Sequence, residues 1–352
     1  MALSVKRTAA VTAVAVTAAL APMPAAWVDR GYSSALYGWI QPRLTGASNH
    51  VPFALFDAAA VLIVALWIAA ALRDLRRSGA ARAALAMLLR TVSWAATAYL
   101  VFLVLWGLNY RRLPLARKLP FDRTAVTPEA ARRVARVTVD RLNALAVDAH
   151  RIGWSAPTDI DSALHVALGR ATGDVGIAAP AVSRPKHTLL DWYFRRAGVD
   201  GMTDPYFLET LVVSDLLPFE RPLVVAHEWS HLAGLADEAE ANFLGWLACI
   251  HGSLPDQYSG WLFLYEELSA ALPRADRESI AAALGGTPRA DLAASRARAL
   301  RNVQPRLSAA AWRAYDSYLK SNRVSAGTRS YGEVVQLVLG TRFDETWTPV
   351  RR

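Results

Sequence analysis

The chain has 352 residues, enough for one large domain or two smaller ones with a sizeable core. Its hydrophobic content of 53% is high for a soluble protein and points to membrane segments. The formal charge of +9 is unevenly placed: residues 1–118 carry 13 Lys/Arg against 3 Asp/Glu, and residues 119–352 carry 26 against 27. Basicity therefore belongs to the apolar N-terminal third, which argues against nucleic-acid binding and for membrane orientation. A single cysteine, Cys249, excludes an intrachain disulfide.

Three apolar stretches come first. Spanning a hydrocarbon layer of about 30 Å takes roughly 20 helical residues. "TAAVTAVAVTAALAPMPAAW" (8–27) follows Lys6 and Arg7 and contains Pro22 and Pro24; it reads as a membrane helix, although the same features describe a secretory signal peptide. "VPFALFDAAAVLIVALWIAAAL" (51–72) holds one charge, Asp57, and "TVSWAATAYLVFLVLWGLNY" (91–110) holds none. Between them "RDLRRSGAARAAL" carries four arginines, and short basic loops stay in the cytoplasm, so residues 111–352 are expected outside. The basic "YRRLPLARK" after the third stretch opposes that reading, but long domains translocate regardless of such charge. Trp27, Tyr32, Tyr37 and Trp39 suit an interfacial aromatic belt.

Beyond residue 119 no window reaches membrane length. Thr127 followed by Pro128 signals a helix start. "YFLETLVVSD" (206–215) has the composition of a strand, and 256–340 reads as four or more helices. The expected organisation is a membrane domain (1–118) followed by a mainly α, extracytoplasmic domain (119–352) with a small sheet.

The chemistry concentrates in "VVAHEWSHLAGLADEAEAN" (224–242). On a helix His227 and His231 share a face and can offer imidazole nitrogens to one zinc ion, while Glu228 can take a proton from a water on that ion. HExxH is a short motif, but this one lies in an apolar helix, where three polar side chains are costly without a purpose. Gly234 can end that helix in a left-handed turn.

Three carboxylates compete for the third ligand position. Asp237 would complete HExxHxxGxxD, a pattern similar to the short-spaced metzincins with Asp for the last His. Glu238 or Glu240 would instead come from a following helix. Glu238 shares a face with Ala241, Asn242, Gly245 and Cys249, all small, whereas Glu240 lies beside Phe243, Leu244 and Leu247. A small-residue face permits close approach, which favours Glu238 with Asp237 as the helix cap; Asp237 and Glu240 stay as alternatives. Asn242, one turn on, could hold a ligand histidine in its tautomer.

Several blocks together resemble a known family: "YSSALYGWIQPRL", "VPFALFD", "LWGLNYRRLPL", "GVDGMTDPYFLE", "AHEWSHLAGLADEAEANFLGWLAC" and "YLKSNRVSAGTRSYGEVVQLVL". The chain is similar to bacterial multi-pass membrane proteins known as domain of unknown function 3810 and regarded as zinc peptidases. The resemblance implies a zincin-like α+β domain of gluzincin type, with Glu238 as the zinc-binding glutamate and Asn242 where an Asp is commoner. It also implies a bacterial cytoplasmic-membrane location, a polypeptide substrate and, upstream of the metal helix, an edge strand for it. "YFLETLVVSD" would be that strand, with Glu209 either a substrate-facing group or an ordinary edge-strand charge. Tyr331, in "SYGEVV", is a candidate oxyanion donor, with packing of its ring in a helix interface as the alternative.

The expectation is thus a membrane-anchored zinc metallohydrolase, with a peptide bond as the first candidate and a non-peptide amide as a variant. Two rivals come from other classes: a zinc-binding but inactive receptor or scaffold, and a metal-free structural membrane protein. His150, His165 and His251 are expected to be structural, and His187 a surface loop histidine, with a substrate-facing donor as its alternative role.

Overall fold

Prolines at 22 and 24 cannot continue a helix, and the first apolar segment breaks there. The computed structural model describes residues 2–324 and 327–350, with the side chains of 2–4 and 329–331 outside that description. Helix α1 (Ala2–Leu20) gives way to a short turn α2 (Ala25–Trp27), a π-helical stretch Val28–Leu36 and α3 (Tyr37–Asn49). The segments Val5–Leu20 and Ala25–Asn49 meet at 104°. Helices α4 (Leu55–Ser78) and α5 (Ala80–Leu105) are long and apolar enough to cross a membrane, and the bent pair would make a third crossing.

These two spans extend beyond the expected 51–72 and 91–110. The arginine-rich connection is itself helical, being rich in Arg, Ala and Leu, and the chain reverses at Gly79 alone (φ 73°). Asp74 and Arg90 pair across the hairpin at 2.6 Å. At the other end α5 stops at Leu105, because Gly107 starts a 3₁₀ turn against Phe102, whose ring a Cβ there would meet at 2.4 Å. Of the four expected belt residues, Trp27 and Trp39 are exposed. Tyr32 and Tyr37 are instead buried, bonded to the carbonyls of Val104 and Leu232.

The rest is mainly helical with a small sheet. Helix α6 (Pro128–Ile152) starts as expected, with Thr127 accepting from the Ala130 amide. It is followed by α7 (Ser162–Asp174), β1 (Pro185–Lys186), α8 (Asp191–Ala197), β2 (Gly201–Thr203) and β3 (Thr210–Val212). Then come α9 (Arg221–Leu232), α10 (Glu238–Ile250), α11 (Leu254–Ala271), α12 (Arg274–Ala283), α13 (Gly286–Asn302), α14 (Pro305–Ser321) and α15 (Val334–Gly340). Every residue of α10 is buried, as its all-round apolar pattern requires, and it packs against α7, α9 and α11. The core runs unbroken from Phe102 and Trp106 to Trp229 and Trp246, across the expected domain boundary at 118.

The sheet corrects one expectation. Its order is β1-β3-β2, so the strand foreseen at the edge is the central one, and only Thr210–Val212 of it is strand. β2, antiparallel to β3, is the edge next to α9. Glu209 is correspondingly not a substrate-facing group. It is fully buried and pairs with Lys186 Nζ at 2.5 Å. It also accepts from the amides of Leu55 and Phe56, both at 3.1 Å, at the start of α4. A buried carboxylate must satisfy its oxygens locally, and a helix N-terminus with a lysine does that.

Breaking this pair from one side leaves a buried charge. Lys186→Met should cost about 3–5 kcal/mol, and the double variant with Glu209→Gln should cost clearly less. Unfolding in detergent measures both; equal losses would mean that the charge pairing is not what holds the start of α4.

Candidate metal centre

Helix α9 has a local reason for its length and position. Trp229 donates from its indole to the Ser183 carbonyl (2.8 Å), which ties the helix to the chain leading into β1. At its end Gly234 takes φ 82°, the Leu235 amide bonds the Ser230 carbonyl (3.2 Å), and the Gly234 amide bonds that of His231 (2.9 Å). This is a Schellman turn, and only glycine adopts its central conformation without strain.

The turn has a consequence for the site. It aims the Leu235 carbonyl at His231 Nδ1, 2.7 Å away. A carbonyl only accepts, so the neutral imidazole carries its proton on Nδ1 and presents a lone pair at Nε2.

His227 Nε2, His231 Nε2 and Glu238 Oε2 converge: the separations are 3.1 Å between the two histidines, 3.3 Å from His227 to Glu238, and 3.5 Å from His231 to Glu238. A tetrahedral zinc ion with bonds of about 2.0–2.1 Å spaces its ligands by about 3.3 Å. Among the described residues this is the one group of three metal-binding side chains so arranged. Glu238 Oε2 is buried and has no hydrogen-bond partner, while Oε1 accepts from the Tyr315 hydroxyl. One carboxylate oxygen is thus held and the other is left for a cation, so the donor set fits such an ion.

The electrostatics agree. Burial opposes charge on Glu238, but the adjacent imidazoles outweigh it and hold the carboxyl well below the usual range. Burial also opposes the His231 cation, yet Glu238 pushes its pKa up to about 9. The cluster is built to hold positive charge. Glu228 sits one residue from His227, buried, with its carboxyl pushed up by that burial. Thr203 Oγ1 lies 2.8 Å from Glu228 Oε2 and 2.9 Å from its carbonyl, and donates to one at a time. Gly201 makes room, since a Cβ there would lie 2.7 Å from Glu228 Oε1.

The competing carboxylates are occupied elsewhere. Asp237 caps α10, accepting from the amides of Ala239 (3.0 Å) and Glu240 (3.2 Å). Glu240 accepts from the Leu115 amide on the opposite side of α10, and burial pushes its carboxyl up to about 7. The small face of α10 does approach α9: a Cβ at Gly245 would sit 2.9 Å from the His227 amide nitrogen. Asn242 lines the same cavity but bonds neither imidazole; the tautomer-holding partner of His231 is the Leu235 carbonyl. The Tyr331 side chain lies outside the described residues.

Of the other histidines, His150 pairs with Asp291 (2.8 Å), and His187 and His251 contact the carbonyls of Val212 and Thr346. His165 packs against Trp229. Tyr315, Thr203, Gly201 and Leu235 were not singled out in the sequence. Tyr315 left one trace there, an aromatic stripe of Trp312, Tyr315 and Tyr318 at helical spacing on α14.

The three donor atoms and Glu228 line a cavity of about 870 Å³, closed on one side by α14 and on the other by the end of α5. A model of the family described as protein of unknown function (DUF3810) matches residues 32–339. No curated protein and no solved structure matches the chain.

Because Gly234 is both left-handed and crowded, with a Cβ falling 3.0 Å from Asn109 Oδ1, Gly234→Ala should destabilise the fold by at least about 1–2 kcal/mol. Gly169→Ala, in open space in α7, should be neutral or gain up to about 1 kcal/mol. If unfolding curves showed the two variants alike, the turn would not be the constraint on His231 described above.

Proposed function

The chain belongs to the family of unknown function DUF3810, a description that assigns no chemistry, and we propose from its site that it is a membrane-anchored zinc-dependent hydrolase of peptide bonds. The observation that carries this reading is the convergence of His227, His231 and Glu238 at tetrahedral ligand spacing, with Glu228 beside them in a large cavity. The domain is then zincin-like, of the type in which the helix after HExxH returns a glutamate.

A bound zinc ion would supply Lewis acidity, acidifying a water and polarising a carbonyl. The chain supplies the rest. Glu228 accepts the proton of the attacking water and delivers it to the leaving amine, positioned by Thr203. Tyr315 holds Glu238 through Oε1, and the Leu235 carbonyl holds His231 in its donor tautomer.

An extended substrate would pair with β2. The contacts Asp204 N to Glu209 O and Val213 N to Asp200 O bracket the β2–β3 ladder. By antiparallel alternation the backbone groups of Gly201 and Thr203 then point away from β3, toward the cavity they line. With the arginine-rich α4–α5 connection on the cytoplasmic side of a bacterial membrane, this site lies outside the cell.

The full chain purified in detergent should carry one zinc, lost in His231→Ala and retained in Glu228→Gln. Glu228→Gln should lower cleavage of a mixed peptide library by about 10²–10⁴-fold. Intact cleavage in that variant would sink the mechanism. Bound zinc with no cleavage by the wild type would leave a metal-binding receptor, and zinc absent even after reconstitution would remove the reading altogether.

A further inference from the structure

The site cavity does not stop at the surface of the soluble region. Its wall includes Ala95, Ala98, Tyr99 and Phe102 of α5, a helix that is apolar and long enough to cross a bilayer. Ala95 is ten residues before the end of α5, about 15 Å along the axis, which is half the depth of a hydrocarbon layer of about 30 Å. Ala95 and Ala98 are both exposed. The cavity therefore extends alongside a helix that can cross a bilayer.

A second feature lies at the start of α4. Asp57, in the first turn of α4, accepts from the Thr188 hydroxyl and the Leu189 amide, both at 2.8 Å. That anchors a ridge in which Leu189 is 75% and Trp192 58% exposed, close in the chain to Tyr193, which lines the cavity. Large exposed apolar side chains tied to the end of an apolar helix suit burial in the bilayer interface. On the α5 side the lip is set by Tyr206, whose hydroxyl reaches the Ala98 carbonyl at 3.5 Å.

The lining chemistry selects among membrane ligands. None of its described residues is a lysine or arginine. Apart from the metal cluster itself, a phospholipid headgroup would find no lysine or arginine there to hold its phosphate. A polypeptide would find the free edge of β2 for its backbone and an aromatic wall, including Trp106, Tyr315 and Tyr318, for its side chains.

Resting on the hydrolase reading above, we propose that the substrate is a membrane-anchored polypeptide whose juxtamembrane segment slides into the site laterally, past Ala98, from the bilayer. The α5 wall then selects for chains already held in the membrane, and Leu189 and Trp192 seat the neighbouring ridge in the interface.

The test uses full-length protein in phosphatidylcholine–phosphatidylglycerol vesicles, with Glu228→Gln as a trap and a photoreactive residue at position 98 or, as a lipid-facing control, at Ile63, which is 53% exposed on α4. The probes are a synthetic peptide with one transmembrane anchor and a mixed-sequence juxtamembrane segment, and that segment without its anchor. The anchored peptide should crosslink at position 98 about tenfold more than at position 63 and more than the free segment, and zinc-loaded wild type should cleave it preferentially.

Equal crosslinking at 98 and 63, crosslinking of acyl chains alone, or equal cleavage of both probes would overturn lateral entry while leaving the hydrolase reading standing. Selective crosslinking at 98 without cleavage by the wild type would support the entry route and count against hydrolysis.

Discussion

The C-terminal end of α9 is where the apolar helices and the candidate metal centre become one structure. A helix end leaves carbonyls without intrahelical partners, and buried ones must find partners elsewhere. Here the Schellman turn takes part of the set, and residues from α3 and from the segment after α5 take the rest. The Trp106 indole donates to the His231 carbonyl (3.3 Å), the Tyr37 hydroxyl to that of Leu232 (2.9 Å), and Arg112 to those of Ala233 (3.3 Å) and Gly234 (2.9 Å). Arg112 is itself held by Asp29, which also binds Lys118 at 2.8 Å. Cationic and neutral donors at a helix C-terminus also complement its dipole.

Because these bonds reach His231 itself, the position of the imidazole depends on α3, the end of α5 and the 3₁₀ turn that follows. The arrangement explains why the core runs without a break from the apolar helices into the helical domain. Glu240 adds a third tie, from the helix that carries Glu238 to the Leu115 amide. Two of the three carboxylates near the histidines thus hold backbone in place, and the third faces the imidazoles.

The same joint gives the site its surroundings. Since Trp106 and Tyr110 stand at the end of α5 and beside the cluster, this long apolar helix is a wall of the cavity rather than a distant anchor. The opposite wall is α14, whose Tyr315 bonds Glu238 and whose Tyr318 packs against Phe102 and Tyr110 with ring centroids 6.2 and 6.0 Å apart. Helices from the two ends of the chain therefore enclose residues from its middle.

What the sequence alone determined is what depends on neighbours along the chain. Helical spacing puts His227 and His231 on one face, Gly234 ends their helix, Asp237 caps the next, and Gly245 marks the side of α10 that approaches α9. Apolar length likewise identified α4 and α5, although helix propensity carried them further into the basic connection than hydropathy indicated. The tertiary structure alone decided which strand is an edge, that Glu209 is consumed by Lys186 and the start of α4, and that Tyr315 reaches Glu238. Each of these needs segments brought together by packing, and hydrogen-bond partners of that kind leave no period or spacing in the sequence. A helix face is written in every turn, but the side chain that meets it from 77 residues away is chosen by the fold.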